Sequence, residues 1–163
     1  MDITTFDTAD AEKAAAVLRA CADVDAWVEA LVAGRPYGSV EALVARADAL
    51  AAVWTGAQVQ AALADHPRIG ERHVGTGRSA ELSGREQSGV DDSADTAARL
   101  AAGNAAYEER FDRIFLVRAA GRSAEEILAL LAQRLTHDPE TELAVTAGQL
   151  REIALLRLED TFA

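Results

Sequence analysis

The chain has 163 residues, 50% hydrophobic and 26% charged, which excludes wholesale disorder and allows a single well-buried domain. Sixteen basic residues against 27 acidic ones give a net charge of −11, the wrong sign for a general nucleic-acid binder. The single cysteine, Cys21, excludes an intrachain disulfide and a Cys-rich zinc site, and it fits a reducing cytoplasm.

Met1 to Phe6 carries neither a basic nor an apolar leader pattern, so no signal peptide is expected. The spacing predicts a helix over 8–22, capped by Thr8 or Asp7, with Ala15, Val17, Leu18 and Cys21 along it. A second helix over 24–33 carries Val24, Trp27, Val28 and Leu31, and Gly34–Gly38 breaks it. Ser39 caps a long segment with Leu43, Ala47, Leu50 and Trp54 on one face, and a shorter helix follows over 57–64. From Asp65 to Asp92 the periodicity fails. That stretch is too long for an ordinary connection, and long loops inside compact domains are usually functional or disordered.

Helical spacing returns near Ser93 with Leu100, Asn104, Tyr107 and Phe111. The apolar run Ile114–Val117 is too short to classify: a buried extended segment and a helix end fit equally. Ser123 and Glu126 form a capping-box pattern ahead of Ile127, Leu128, Leu131 and Leu135. Asp138-Pro139 reads as N-cap and first residue of a last helix carrying Leu143, Leu150, Ile153, Leu156 and Phe162. Every Ala-rich stretch is interrupted by charges, so no membrane span is expected. The expectation is all-α: one domain over 1–163, a bundle of about seven to eight helices with an irregular His/Gly-rich central loop.

The central stretch concentrates residues suited to chemistry. His66, directly before Pro67, is biased toward extended backbone and has two readings. It is either a proton-transfer group or a helix-end histidine favoured by the helix dipole. Ser83 and Glu86 match a capping box, and the helix N-terminus they would open also makes an anion site. Between residues 66 and 85, Arg68, Arg72, Arg78 and Arg85 stand against two acids, so the loop is basic in an acidic chain. That charge either draws an anionic small molecule or is simply solvated. His66 and His73 are wrongly spaced for one helix face, so a zinc site would need distant carboxylates. His137 reads as a surface residue, and Arg157 either faces water or reaches into a polar cavity. No phosphate loop, dinucleotide fingerprint or nucleophile elbow is present, so no nucleotide or flavin seat is expected.

The run His66-Pro67-Arg68-Ile69-Gly70, followed 17 residues after the histidine by Ser83-x-x-Glu86-Gln87-x-Gly89, resembles the OHCU (2-oxo-4-hydroxy-4-carboxy-5-ureidoimidazoline) decarboxylase family of urate degradation. The resemblance continues through Asn104-Ala105-x-Tyr107-x-x-x-Phe111, the Ile114–Ala119 segment and Leu155-Leu156-Arg157-Leu158. It implies an all-α fold, a homodimer in the cytoplasm, a small-molecule purine-catabolic substrate, and no metal or organic cofactor. It implies that His66 and Glu86 are catalytic. It also implies that Pro67, Ser83, Gly84, Arg85, Glu86, Gln87, Phe115, Leu116, Val117, Arg118 and Ala119 line the substrate site, and that Arg157 meets the substrate.

Two departures stand out. Many members read His-Pro-Asp-Leu where this chain has His66-Pro67-Arg68-Ile69, and Phe-Gly-Phe-Pro-Phe where it has Phe111-Asp112-Arg113-Ile114-Phe115. The rival readings are a non-enzymatic helical interaction module and a metal-dependent hydrolase built on His66, His73 and carboxylates. The module leaves the His-bearing basic loop without a purpose.

Overall fold

The computed structural model describes residues 1–71, 78–88 and 93–163. Among these residues the chain is all-helical, with nine α-helices, one 3-10 turn and no strand. It divides into two compact units, one formed by residues 1–62 and 150–163, the other by residues 63–149.

The first unit contains α1 (Ile3–Thr8), α2 (Ala11–Cys21), α3 (Asp25–Ala33), α4 (Val40–Ala51), α5 (Gly56–Ala62) and the C-terminal part of α9 (Pro139–Phe162). The helix expected over 8–22 is in fact two. Asp2 caps α1 and Asp10 caps α2, each accepting a backbone N–H three residues on. Helix α1 contributes a single buried side chain, Phe6, edge-on to Phe162 with centroids 5.3 Å apart. Arg35 closes its C-terminal end, donating to the carbonyls of Phe6 (2.7 Å) and Ala9 (2.8 Å).

Ser39 caps α4 as expected. That helix ends at Ala51, so Trp54 lies beyond it and packs edge-on against Trp27. The Trp27 indole donates to the Ala47 carbonyl at 3.0 Å.

The second unit contains the 3-10 turn Leu63–Asp65, α6 (Arg78–Glu86), α7 (Ala94–Phe111), α8 (Ala124–Arg134) and the start of α9. Its core gathers Ile69, Leu100, Tyr107, Phe111, Phe115, Val117, Ala119, Ile127 and Leu131. The Ser123–Glu126 capping box opens α8 with both reciprocal hydrogen bonds present. Asp138 accepts the N–H groups of Glu140 and Thr141 and opens α9 at Pro139.

Gly103 allows α7 and α8 to approach closely, since a Cβ there would sit 2.2 Å from Leu131 Cδ2. Helix α7 closes on Asp112, which adopts a left-handed backbone with φ 52° and donates its N–H to the Glu108 carbonyl. Residues 114–119 then run without regular secondary structure.

Candidate functional site

The 3-10 turn ends where the His66 N–H donates to the Leu63 carbonyl at 3.1 Å. His66 and Pro67 are half-buried there. The chain then drives Ile69 into the core of the second unit. Gly70 follows with φ +85°, a conformation open to glycine at no steric cost. Arg68 stays exposed and pairs with Glu108 on α7 through Nε–Oε1 and a second bond of 2.9 Å, with Glu71 also near. The positive charge expected of this loop is therefore offset at Arg68 by an acid on another element. Glu108 is correspondingly held below the usual carboxylate range by its hydrogen bond to Arg68.

The second motif is placed differently from expectation. Ser83 does not open a helix: α6 begins at Arg78, and Ser83 sits buried in its second half. The Ser83 carbonyl accepts the Gln87 N–H at 3.2 Å, a bond four residues on that closes the helix, and Glu86 is the last helical residue. The Ser83–Gln87 turn is thus a helix C-terminus. It presents carbonyl groups and partial negative charge, so the anion site at a helix N-terminus is corrected. The capping pattern failed because Leu82, buried one residue earlier, is already helical.

Gln87 joins the two motifs. Its side-chain oxygen accepts the Gly70 N–H at 3.0 Å. From α7, Asn104 Nδ2 donates to the Ile69 carbonyl at 3.0 Å. His66, Pro67, Ser83, Gly84, Arg85, Glu86, Gln87 and the 115–119 segment all belong to the second unit, and Arg157 to the first. Arg157 is buried on α9 and donates to the Ala20 carbonyl at 3.3 Å, so it does not face water. His73 and Gly89 lie outside the described residues.

In the 115–119 segment, Phe115, Val117 and Ala119 pack into the core cluster, Leu116 is buried outside it, and Arg118 is half-buried. Two residues absent from the sequence reading, Arg134 and Gln149, hold the segment's backbone. Arg134 donates to the Leu116 carbonyl at 2.6 Å and stacks 4.7 Å above the Phe115 ring. Gln149 accepts the Arg118 N–H at 2.9 Å.

Arg134 is 4% exposed and pairs with the fully buried Glu142, with Nε–Oε1 at 2.7 Å. The Tyr107 hydroxyl also donates to Glu142. His137 is half-buried, with Nδ1 2.9 Å from Glu142 Oε2, which corrects its reading as a surface residue. Burial raises the Glu142 pKa, but the bonds from Arg134 and Tyr107, the Arg134 charge and His137 outweigh it and leave it below the usual range. Burial and the Glu142 bond push Tyr107 up. The signal was present in the sequence: Ile127, Leu131 and Arg134 share one helical stripe, as do Glu142, Thr146 and Leu150, so charges stand at core positions.

Among the described residues no three of His, Cys, Asp or Glu gather as a metal-binding set, and no helix is long and apolar enough to cross a membrane.

The chain is similar to 2-oxo-4-hydroxy-4-carboxy-5-ureidoimidazoline decarboxylases of Amia calva (37% identical over 99 residues) and Mus musculus (35% over 98). Each match covers 58% of this chain, and the chain spans about half the length of these curated relatives, 56% and 55%. Its fold is similar to that of an OHCU decarboxylase crystallised in the presence of (S)-allantoin, with TM-score 0.74, 22% identity, and coverage of 87% of this chain and 94% of that one. It is also similar to an (S)-allantoin synthase, with TM-score 0.70, 20% identity, and coverage of 98% of this chain and 54% of that one. The sequence profile of the OHCU decarboxylases matches residues 7–159, and the chain belongs to that family.

Proposed function

We propose that this chain catalyses the decarboxylation of OHCU to (S)-allantoin in urate degradation, with residues 1–163 acting as one domain. The observation that carries the reading is the Gly70–Gln87 hydrogen bond, which links the His66 loop to the Glu86 turn in a chain of this family. In that substrate one ring carbon bears a hydroxyl and a carboxylate, and the adjacent carbon is doubly bonded to nitrogen. The C–CO2 bond breaks, its electron pair becomes a C=C bond, and the C=N pair moves to nitrogen, which takes a proton. The resulting enol loses its O–H proton as the neighbouring carbon gains one, giving the ketone and one new C–H bond. The substrate is its own electron sink, so the reading needs neither a metal nor an organic cofactor.

In this proposal His66 handles the hydroxyl proton and Glu86 shares or relays it, which places the new C–H on one face. Ser83, Gly84, Arg85 and Gln87 form one wall beside Pro67. Phe115, Val117 and Ala119 belong to the core cluster and Leu116 is buried as well, so in this proposal the ligand contact of that segment falls to the half-buried Arg118. Arg157 is retained on its motif; it would orient the substrate without gripping the departing carboxylate, since ground-state binding does not aid the chemical step. A cytoplasmic homodimer completes the proposal, and light scattering of the purified protein tests the dimer.

The deciding assay generates OHCU from urate with uricase and the following hydrolase, with metals chelated, and tracks circular dichroism. Rapid formation of one allantoin enantiomer, lost in His66→Ala, is the expected result. A slow racemic trace identical to the protein-free control overturns the reading.

A further inference from the structure

Helix α7 turns two residues, Asn104 and Glu108, toward the loop that carries His66. They lie one helical turn apart on the same face. Each engages a different residue of the loop: Asn104 the Ile69 carbonyl, Glu108 the Arg68 guanidinium. On its other side the loop is fixed where the His66 N–H meets the Leu63 carbonyl. Only Pro67 stands between His66 and the two α7 anchors, and its ring fixes φ. The His66 backbone therefore has little room to move independently of α7.

Asn104 is a costly residue for packing alone. It is 4% exposed, and its Oδ1 is buried without a hydrogen-bond partner among the described residues. A side chain needed only to fill that space would be apolar. What the amide supplies is the Nδ2–H donor to Ile69.

We propose that Asn104, seconded by Glu108, is a positioning residue that sets His66 for proton transfer. The inference rests on the decarboxylase reading. A proton delivered to one face of the enol requires an acid held in register with that face. A loop released from α7 leaves the enol to protonation by solvent, which has no handedness.

Four variants test it in the OHCU assay: Asn104→Ala, Asn104→Asp, Glu108→Gln and, as control, Glu125→Gln, which removes the exposed Arg99–Glu125 ion pair between α7 and α8. The expected result for Asn104→Ala is a kcat lower by roughly 10- to 100-fold with KM within about twofold, as misplacement of a catalytic group produces. The enantiomeric excess of the allantoin falls with it. Asn104→Asp behaves alike, because its carboxylate faces the Ile69 carbonyl without a donor. Glu108→Gln shows a smaller loss in the same direction, and Glu125→Gln none.

Folded Asn104 variants with wild-type kcat and wild-type enantiomeric excess overturn the inference. If the Asn104 variants do not fold, Glu108→Gln decides alone, and unchanged kcat and handedness overturn it. A wild-type protein with no activity overturns both the inference and the decarboxylase reading, whereas an active wild type with indifferent variants overturns the inference only.

Discussion

The Gln87 side-chain oxygen receives the Gly70 N–H at 3.0 Å, so the end of α6 is tied to the His66 loop through the Gln87 amide. The donor depends on Gly70 holding φ +85°, and a Cβ there would come within 3.2 Å of Leu100 Cδ1. Gly70→Ala is expected to cost about 1–3 kcal/mol through backbone strain and the Leu100 contact. Urea unfolding measures it. A variant as stable as wild type would mean the loop adopts another conformation.

Glu142→Gln leaves the Arg134 guanidinium buried without its counter-charge, and the expected loss is about 3–5 kcal/mol. Replacing both partners with apolar residues, Arg134→Met with Glu142→Leu, is expected to recover much of that loss, because no buried charge then remains uncompensated. A double-mutant cycle by denaturant unfolding separates the two outcomes. Equal losses in the single and double variants would show that the pair's worth lies in bonds to Leu116 and Tyr107.

Acid stability follows from the same carboxylate. The folded Glu142 pKa is depressed, so its contribution is fully present above the unfolded value of about 4.3 and is lost as pH falls through the lower folded value. Wild-type stability should fall with pH over that window. The Glu142→Gln variant should show a shallower slope there, since the Gln side chain does not titrate. Parallel slopes in the two proteins, measured by urea titration between pH 2 and 5 (an interval of about three units around the carboxylate range), would assign the acid sensitivity to other carboxylates, such as Asp48 beside Arg151.

Features confined to a few residues were legible in the sequence. The Ser123–Glu126 box and the Asp138-Pro139 start each contain their own partners within four residues, and both formed as expected. Ser83-x-x-Glu86 is the same pattern, yet it ends a helix. A cap motif states what a residue can accept, and whether the preceding turn is already helical is decided by burial of Leu82 and its neighbours. Helix α1 was missed because its six residues carry no period, and long-range partners, Phe162 and Arg35, hold it. The hydrogen bonds that Gln87, Asn104 and Arg134 make were not legible for a related reason. Their hydrogen-bond partners lie 17, 35 and 18 residues away, beyond any local pattern. Family resemblance directed attention to His66 and Glu86, while the buried charges of α8 and α9 could have been found as polar residues on apolar stripes.

Asp112 gives the departure from the commoner family form a simple meaning. Many members carry glycine where this chain has Asp112, and Asp112 holds the left-handed φ of 52° that glycine adopts freely. Aspartate tolerates that geometry better than most L residues, at a steric penalty below the roughly 1–2 kcal/mol typical of the class. Backbone conformation, rather than side-chain contact, sets the requirement at Asp112, where the chain turns out of α7 ahead of residues 114–119. Latitude at 112 therefore extends to Gly, Asn and Asp, and a β-branched residue there would have to redirect the segment that Arg134 and Gln149 secure.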